Sequence, residues 1–204
     1  WRWQTPAPAA AKEPTGANSS SPRVFWAGGR RRAQGGASLI GAMAPEAGAA
    51  GGALIAAGGI MTGRGVAAAL ALGAAGAQLG TAFMATAEAG TKPGHRQLLQ
   101  ASARAGGAMT VLTRSYTGRY ARKLLSAGEA IPPEPAALAA FPAQHGLTRP
   151  IRAAADAAGV PEAQAYWAGA GAGLVRPDGI AVAELVAALG REMRAALTRR
   201  PGQR

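Results

Sequence analysis

Three consecutive segments constrain the fold of this 204-residue chain more than any other feature. Residues 53–57 and 76–79 are short apolar runs, and each is closed by a glycine turn. Between them, apolar residues recur at helical spacing from residue 63 to residue 72. This order predicts a βαβ unit with parallel strands and a right-handed crossover. We therefore expect an α/β fold in which the first strand is buried on both faces.

The two glycine turns have the composition of a phosphate site. Gly58 and Gly59 end the first predicted strand, and Gly80 and Thr81 end the second. Glycine lets backbone N–H groups approach an anion, and a helix that begins at the turn adds a favourable dipole. Because parallel strands end at the same edge, both turns could hold one phosphate, with the Thr81 hydroxyl as a further donor. Glycine-rich strand ends also occur in α/β proteins that bind no phosphate, so spacing alone leaves both interpretations open.

The rest of the chain predicts one more strand and several helices. Residues 1–37 are rich in Pro and Gly without sustained periodicity, so we expect them to be irregular. A third strand is predicted at residues 109–113. Helices are predicted at residues 38–50, 94–105, 148–158 and 179–198, and a basic helix is predicted to end near Ser126.

The formal net charge of +12 does not by itself predict a nucleic-acid partner. The basic residues form several clusters, and no nucleic-acid-binding motif accompanies them. We therefore do not expect nucleic-acid binding. The cluster made of Arg114, Arg119, Arg122 and Lys123 is interpreted as the solvated face of the basic helix.

The cysteine content and the hydrophobic pattern limit where in the cell we expect the chain to be. It contains no cysteine, which excludes disulfides and is compatible with a reducing compartment, so the predicted location is the cytoplasm. Residues 65–87 carry no charge, but alanine and glycine dominate them, so we expect no membrane span. No group of His, Asp and Glu has metal-ligand spacing, and no metal is predicted.

Beyond spacing, the exact residue strings resemble the nitronate monooxygenase (2-nitropropane dioxygenase) family. The densest similarity covers residues 53–83, with the strings Ile-Ala-Ala-Gly-Gly-Ile and Gly-Ala-Gln-Leu-Gly-Thr-Ala-Phe. Residues 113–122 resemble a Ser-Gly-Arg-Pro-Ala-Arg region of the family, and Trp167 with Gly169 belongs to a segment similar to a late one. The similarity extends from about residue 38 to residue 190 and corresponds to the C-terminal half of the family.

The resemblance implies an FMN-containing (β/α)₈ TIM barrel that oxidises alkyl nitronates with O₂. The residues expected to bind FMN lie in three glycine-containing segments: Gly28, Gly58, Gly59, Gln78, Leu79, Gly80 and Thr81. The family's catalytic base is a His that ends an Ala-Gly-Gly-His motif, whereas this chain has Arg30 at that position. Arginine stays protonated, so it could stabilise an anionic nitronate but could not remove a proton from a nitroalkane.

The length of the chain implies only part of such a barrel, which needs about 250 residues. We expect the last βα units of the barrel at residues 38–130, C-terminal helices within residues 131–204, and an irregular leader at residues 1–37. A partial sheet exposes parallel strand edges, which predicts self-association. Two alternatives stay open: a non-catalytic remnant of this fold, and another FMN barrel enzyme such as a flavin-dependent enoyl reductase.

Three further side chains are weighed as site candidates. His95 lies at a predicted helix start and is interpreted as a helix cap or a solvent-facing residue. His145 lies in a predicted loop that matches a family segment, and a position near the active site is the functional alternative. Trp167 is interpreted as a packing residue rather than a flavin-stacking one.

Overall fold

The predicted βαβ unit forms two strands of a three-stranded parallel sheet in the computed structural model, which describes residues 24–27, 36–131 and 137–199. The strands are β1 (Val24–Ala27), β2 (Ala53–Ala57) and β3 (Gly76–Gln78), in the order β1-β2-β3. Helix α1 (Gly36–Ala49) connects β1 to β2, and α2 (Gly63–Ala71) connects β2 to β3. Strand β1 corrects the expectation that residues 1–37 are irregular throughout, because Val24–Ala27 pairs in register with β2.

Strand β2 is buried on one face and only half-buried on the other. Leu54 and Ala56 are buried and pack in a core with residues of α1 and α2, among them Ile40 and Ala69. The alternate residues of β2 are intermediate in exposure. The prediction of burial on both faces is therefore wrong for the described part of the chain. The reason is that α1 and α2 cover one face of the sheet.

Helix α2 begins and ends where the sequence predicts. Thr62 is the N-cap residue, and its Oγ1 accepts the N–H of Gly65 at 3.2 Å, which satisfies one of the first free donors of the helix. Gly73 follows the helix with φ of 96°, a left-handed conformation that glycine adopts without a steric penalty. The Ala74 N–H donates back to Ala69, so the chain leaves the helix in a tight turn towards β3.

The predicted basic helix before Ser126 is wrong. Strands β4 (Thr110–Thr113) and β5 (Ala121–Leu124) form an antiparallel hairpin separate from the parallel sheet. Strand β5 buries Ala121, Lys123 and Leu124. The cationic side chain of Lys123 therefore lies in the interior, where Glu129 pairs with it. Tertiary pairing overrides the local charge pattern here.

Four more α-helices and two short 3₁₀ helices, Pro161–Ala163 and Ala172–Leu174, complete the described fold. The α-helices are α3 (Thr81–Met84), α4 (Pro93–Arg104), α5 (Ala143–Ala157) and α6 (Val182–Thr198). Helices α4 and α6 confirm predicted helices, and α5 begins five residues earlier than its predicted start at residue 148. A second core joins Leu99 of α4, Leu124 of β5 and Leu185 of α6. Within the described ranges, no helix is both long and apolar enough to cross a membrane.

Candidate functional site

The first glycine turn follows β2 and has a backbone that requires glycine. Gly58 and Gly59 have φ of 95° and 76°, which side chains other than glycine rarely adopt. The turn does not open a helix directly, as the sequence had suggested, because three residues separate it from the first residue of α2, Gly63.

The N-terminus of α2 is occupied by a carboxylate from α6. The Gly63 N–H donates to Oε2 of Glu192 at 2.8 Å. The other oxygen, Oε1, contacts Nη2 of Arg176 at 2.5 Å. The protein itself thus supplies the negative charge that stabilises the positive end of the helix dipole. The expected contribution of this helix to phosphate binding is therefore not available in the structure.

The second glycine turn follows β3 and begins α3. The Gly80 carbonyl accepts the N–H groups of Phe83 at 3.0 Å and Met84 at 3.3 Å. Gln78 and Gly80 are exposed, whereas Thr81 is buried. A Cβ atom added to Gly80 would meet nothing within 4 Å, and its φ of −111° is open to any residue. The turn therefore has free space on the side of residue 80.

The two turns meet at a third segment, residues 169–176, which we call the covering segment. The Gly169 N–H donates to Oγ1 of Thr81 at 2.9 Å. A Cβ on Gly169 would lie 3.0 Å from the Gly59 nitrogen, and a Cβ on Gly171 would collide with the Gly59 carbonyl oxygen. The covering segment thus lies directly on Gly59 and bonds to Thr81, which brings both predicted turns to one place.

The role of Gly169 and Gly171 in this contact is not predicted by the sequence. Their spacing in the string Trp-Ala-Gly-Ala-Gly, beginning at Trp167, was the available signal, since alternating glycines permit close backbone approach. Beside the contact, the buried side chain of Met61 touches both glycine positions. Met61 also lines a cavity of about 280 Å³, together with Thr62, Leu189 and other residues that include Arg176 and Glu192.

His95 lies in the core and is neither a cap nor solvent-facing, so that interpretation is wrong. Its side chain is in the first turn of α4, is 8% exposed, and stacks on Tyr166 with 4.7 Å between ring centroids. Burial lowers the pKa of His95 to about 4, and a hydrogen bond with the Trp167 backbone opposes that shift. Nε2 is buried without a hydrogen-bond partner. The ring is therefore neutral at neutral pH.

The pKa of His95 makes the stability of the fold pH-dependent. The unfolded chain protonates His95 near pH 6.5, whereas the folded chain does so only near pH 4, so the free energy of unfolding falls as the pH drops through this window. We expect the loss from this residue to be about 2 kcal/mol after allowing for solvent screening. Denaturant unfolding at pH 7, 5.5 and 4 measures this loss of stability, because these pH values span roughly the range between the two pKa values. A His95→Phe variant should have a shallower pH slope; equal slopes would contradict the assignment.

The other candidates occupy positions away from the two turns or outside the described residues. His145 lies in the first turn of α5, where it is exposed and contacts Arg152 at 3.3 Å. Trp167 packs edge-to-face on Tyr116, with 5.6 Å between ring centroids. Arg119 lies over the ring of Phe141. Gly28 and Arg30 lie outside the described residues. No group of three His, Asp or Glu residues that could hold a metal occurs within the ranges that the structure describes.

Comparison with known proteins identifies the family of this chain. A sequence model described as "Nitronate monooxygenase" matches residues 27–192, which is most of the chain. The chain belongs to the nitronate monooxygenase family. Among curated members of the family, the chain is 42% identical over 146 residues to the nitronate monooxygenase of Paraburkholderia phytofirmans. It is 37% identical over 202 residues to that of Pseudomonas aeruginosa.

The chain matches only part of these nitronate monooxygenases. It spans 38% of the Paraburkholderia protein and 55% of the Pseudomonas protein, although the matches cover 69% and 93% of the chain. A nitroalkane oxidase structure from Streptomyces ansochromogenes has a TM-score of 0.64 at 39% identity, covering 79% of this chain and 44% of the oxidase. FabK from Thermotoga maritima has a TM-score of 0.58 at 27% identity, covering 79% of this chain and 49% of FabK.

Proposed function

We propose that this chain holds the phosphate end of FMN in an oxidoreductase that oxidises alkyl nitronates with O₂. One observation carries the proposal: the turns after β2 and β3 meet at the covering segment, which contacts Gly59 and Thr81 together. Parallel strands β2 and β3 are proposed to be late strands of a (β/α)₈ barrel, whose phosphate sites form at the carboxyl ends of such strands.

The residues at the two turns fit a phosphate group. Gly80 has no atom within 4 Å of an added Cβ, so an anion can approach its backbone, and Gly59 has no atom closer than 3.9 Å on the side of its added Cβ. We assign backbone N–H donation to Gly58, Gly59 and Gly80, in the manner of glycine-rich phosphate turns. Oγ1 of Thr81 accepts from Gly169, so its own hydroxyl hydrogen is left to donate to the phosphate.

Gln78 and Leu79 are proposed to complete the edge of the FMN site. Gln78 is exposed at the end of β3, and Leu79 is half-buried against the second core. Gly28 is proposed to contact FMN from the segment after β1. FMN, when bound, would supply the redox chemistry between the nitronate and O₂. The residues of this chain would hold and orient the phosphate end.

Arg30 determines which form of the substrate we propose. An arginine keeps its charge at neutral pH and cannot remove a proton from a neutral nitroalkane, but it can pair with an anionic nitronate. The proposed substrate is therefore the preformed nitronate. The cytoplasmic location and self-association through the strand edges stay predictions.

Gly80 offers a direct test of the phosphate site. We expect Gly80→Val to weaken FMN binding roughly tenfold or more, because its side chain would occupy the space where the phosphate approaches and remove charge-assisted hydrogen bonds. Gly80 has a negative φ and open surroundings, so the added side chain meets no neighbouring atom. Flavin fluorescence measures both dissociation constants: the FMN constant should rise, whereas the riboflavin constant should change little. Gly90→Val is the matched control, because that glycine also has open surroundings. Equal FMN affinity in Gly80→Val and the parent chain would rule out this site.

Turnover tests the activity itself. With FMN bound, the chain should consume O₂ with an alkyl nitronate and not with the corresponding neutral nitroalkane. Arg30→His should extend activity to the nitroalkane, since histidine can act as a general base near neutral pH. FMN binding without O₂ consumption would favour the non-catalytic remnant. Oxidation of a reduced nicotinamide with an enoyl substrate would instead favour the flavin-dependent enoyl reductase.

A further inference from the structure

The covering segment is held at both ends by polar contacts. At its start, Gly169 bonds to Thr81. At its end, Arg176 pairs with Glu192 of α6. Between the ends, two turns are closed by the hydrogen bonds from Ala172 to Gly169 at 3.0 Å and from Leu174 to Gly171 at 2.8 Å. These two turns make the covering segment compact between its two anchored ends.

Glu192 links three parts of the fold through one carboxylate. Oε1 contacts Arg176 at the end of the covering segment, and Oε2 accepts the N–H of Gly63 at the start of α2. The contact with Gly63 is part-buried and charge-assisted, whereas the pair with Arg176 is partly exposed, with side chains 45% and 31% exposed. Glu192 therefore connects α6 to the start of α2 and to the end of the covering segment.

The position of the covering segment affects the first turn directly. Gly171 lies against the Gly59 carbonyl, and the Met61 side chain fills the space beside Gly169 and Gly171. The covering segment meets the Gly59 backbone directly at Gly169 and Gly171, so a displacement of the segment acts on that turn. A shift at Arg176 would therefore reach the Gly59 turn.

We propose that Glu192 is a positioning residue for the flavin phosphate site, acting through Arg176 on the covering segment and through Gly63 on the start of α2. This inference rests on the proposed function and names a residue that sets the geometry of its site. Glu192 influences the turn that receives the phosphate, so its loss affects recognition of FMN more than recognition of riboflavin, which has no phosphate. A purely structural role would weaken the binding of both flavins equally.

The test measures the dissociation constants of FMN and riboflavin for the full chain by flavin fluorescence. Glu192→Ala should raise the FMN constant roughly tenfold and change the riboflavin constant less than about twofold. Glu192→Gln should have a smaller effect, since its amide oxygen can still accept from Gly63. Glu184→Gln is the control, because Glu184 is exposed on the same helix and the charge change is the same. Arg176→Gln should reproduce the selective loss of FMN affinity.

Several results would overturn the inference. Unchanged or tighter FMN binding in Glu192→Ala, or equal weakening of FMN and riboflavin, would exclude a positioning role. Circular dichroism shows whether Glu192→Ala folds. If it does not, the ratio of the FMN to the riboflavin dissociation constant in Glu192→Gln and Arg176→Gln tests the positioning role instead. A parent chain that shows no preference for FMN over riboflavin would refute the phosphate site itself, and the inference with it. A parent preference that survives in all three variants would refute the inference alone.

Discussion

Replacing Lys123 by methionine should lower the free energy of unfolding by about 3–5 kcal/mol. Lys123 is 1% exposed, and its Nζ pairs with Glu129 and donates to the Glu162 carbonyl at 2.6 Å. The Glu129 side chain is 8% exposed, and its second oxygen accepts the N–H of Ser126 at 2.9 Å. Methionine removes the positive charge and leaves the Glu129 carboxylate buried without its cation. That loss of compensation, rather than the attraction of the pair, accounts for the expected cost.

Two comparison variants separate this effect from a general loss of charge. Lys92→Met breaks the exposed pair with Asp156, whose side chains are 58% and 41% exposed, and should cost less than about 1 kcal/mol. The double variant Lys123→Met with Glu129→Leu removes both buried charges and should recover most of the lost stability. Denaturant unfolding measures all three. If Lys123→Met costs no more than Lys92→Met, the buried pair does not exist in solution.

Replacing Gly63 by alanine should lower the free energy of unfolding by about 3 kcal/mol. Gly63 is the first residue of α2, and the backbone of α6 packs directly against it. An added Cβ would collide with the Leu189 carbonyl oxygen and would lie 2.5 Å from the Glu192 Cβ and the Met193 nitrogen. Backbone atoms cannot rotate away as a flexible side chain can, so α2 and α6 would have to separate.

The matched variant is Gly41→Ala in α1, where an added Cβ meets nothing within 4 Å. Alanine has the higher helix propensity, so Gly41→Ala should raise the free energy of unfolding by about 0.5–1 kcal/mol. The two substitutions are chemically identical and are expected to have opposite signs. Unfolding curves in urea give both values. A neutral Gly63→Ala would show that α2 and α6 are farther apart than in the structure.

Local chemistry made the βαβ unit predictable from the sequence. The apolar runs of β2 and β3, the Thr62 cap and the glycine after α2 each act within a few residues of the chain, so a linear pattern records them. The same pattern located both glycine turns. Family strings in these turns predicted the nitronate monooxygenase family, which the family match confirms.

Charge patterns failed where the chain folds back on itself. A run of basic residues before Ser126 looked like a solvated helix, but pairing with β4 makes it strand β5 and places Lys123 beside Glu129. His95 looked like an exposed helix start, but the ring of Tyr166 covers it. In each case the environment of the residue depends on a partner that lies elsewhere in the chain. Neither the local charge pattern nor the position in a helix predicts which residue that partner is.

The sequence by itself determined the parallel βαβ unit, the two glycine turns and the family, because these depend on residues that are neighbours in the chain. The tertiary structure alone decided what surrounds the turns. Gly169 reaches Thr81 across 88 residues, and Glu192 reaches Gly63 across 129. Contacts of that separation arise when helices and turns pack against one another, and no local periodicity records which backbone will approach which. The two glycine turns can therefore be predicted from the sequence, whereas the segment that covers them and the carboxylate paired with that segment follow from packing.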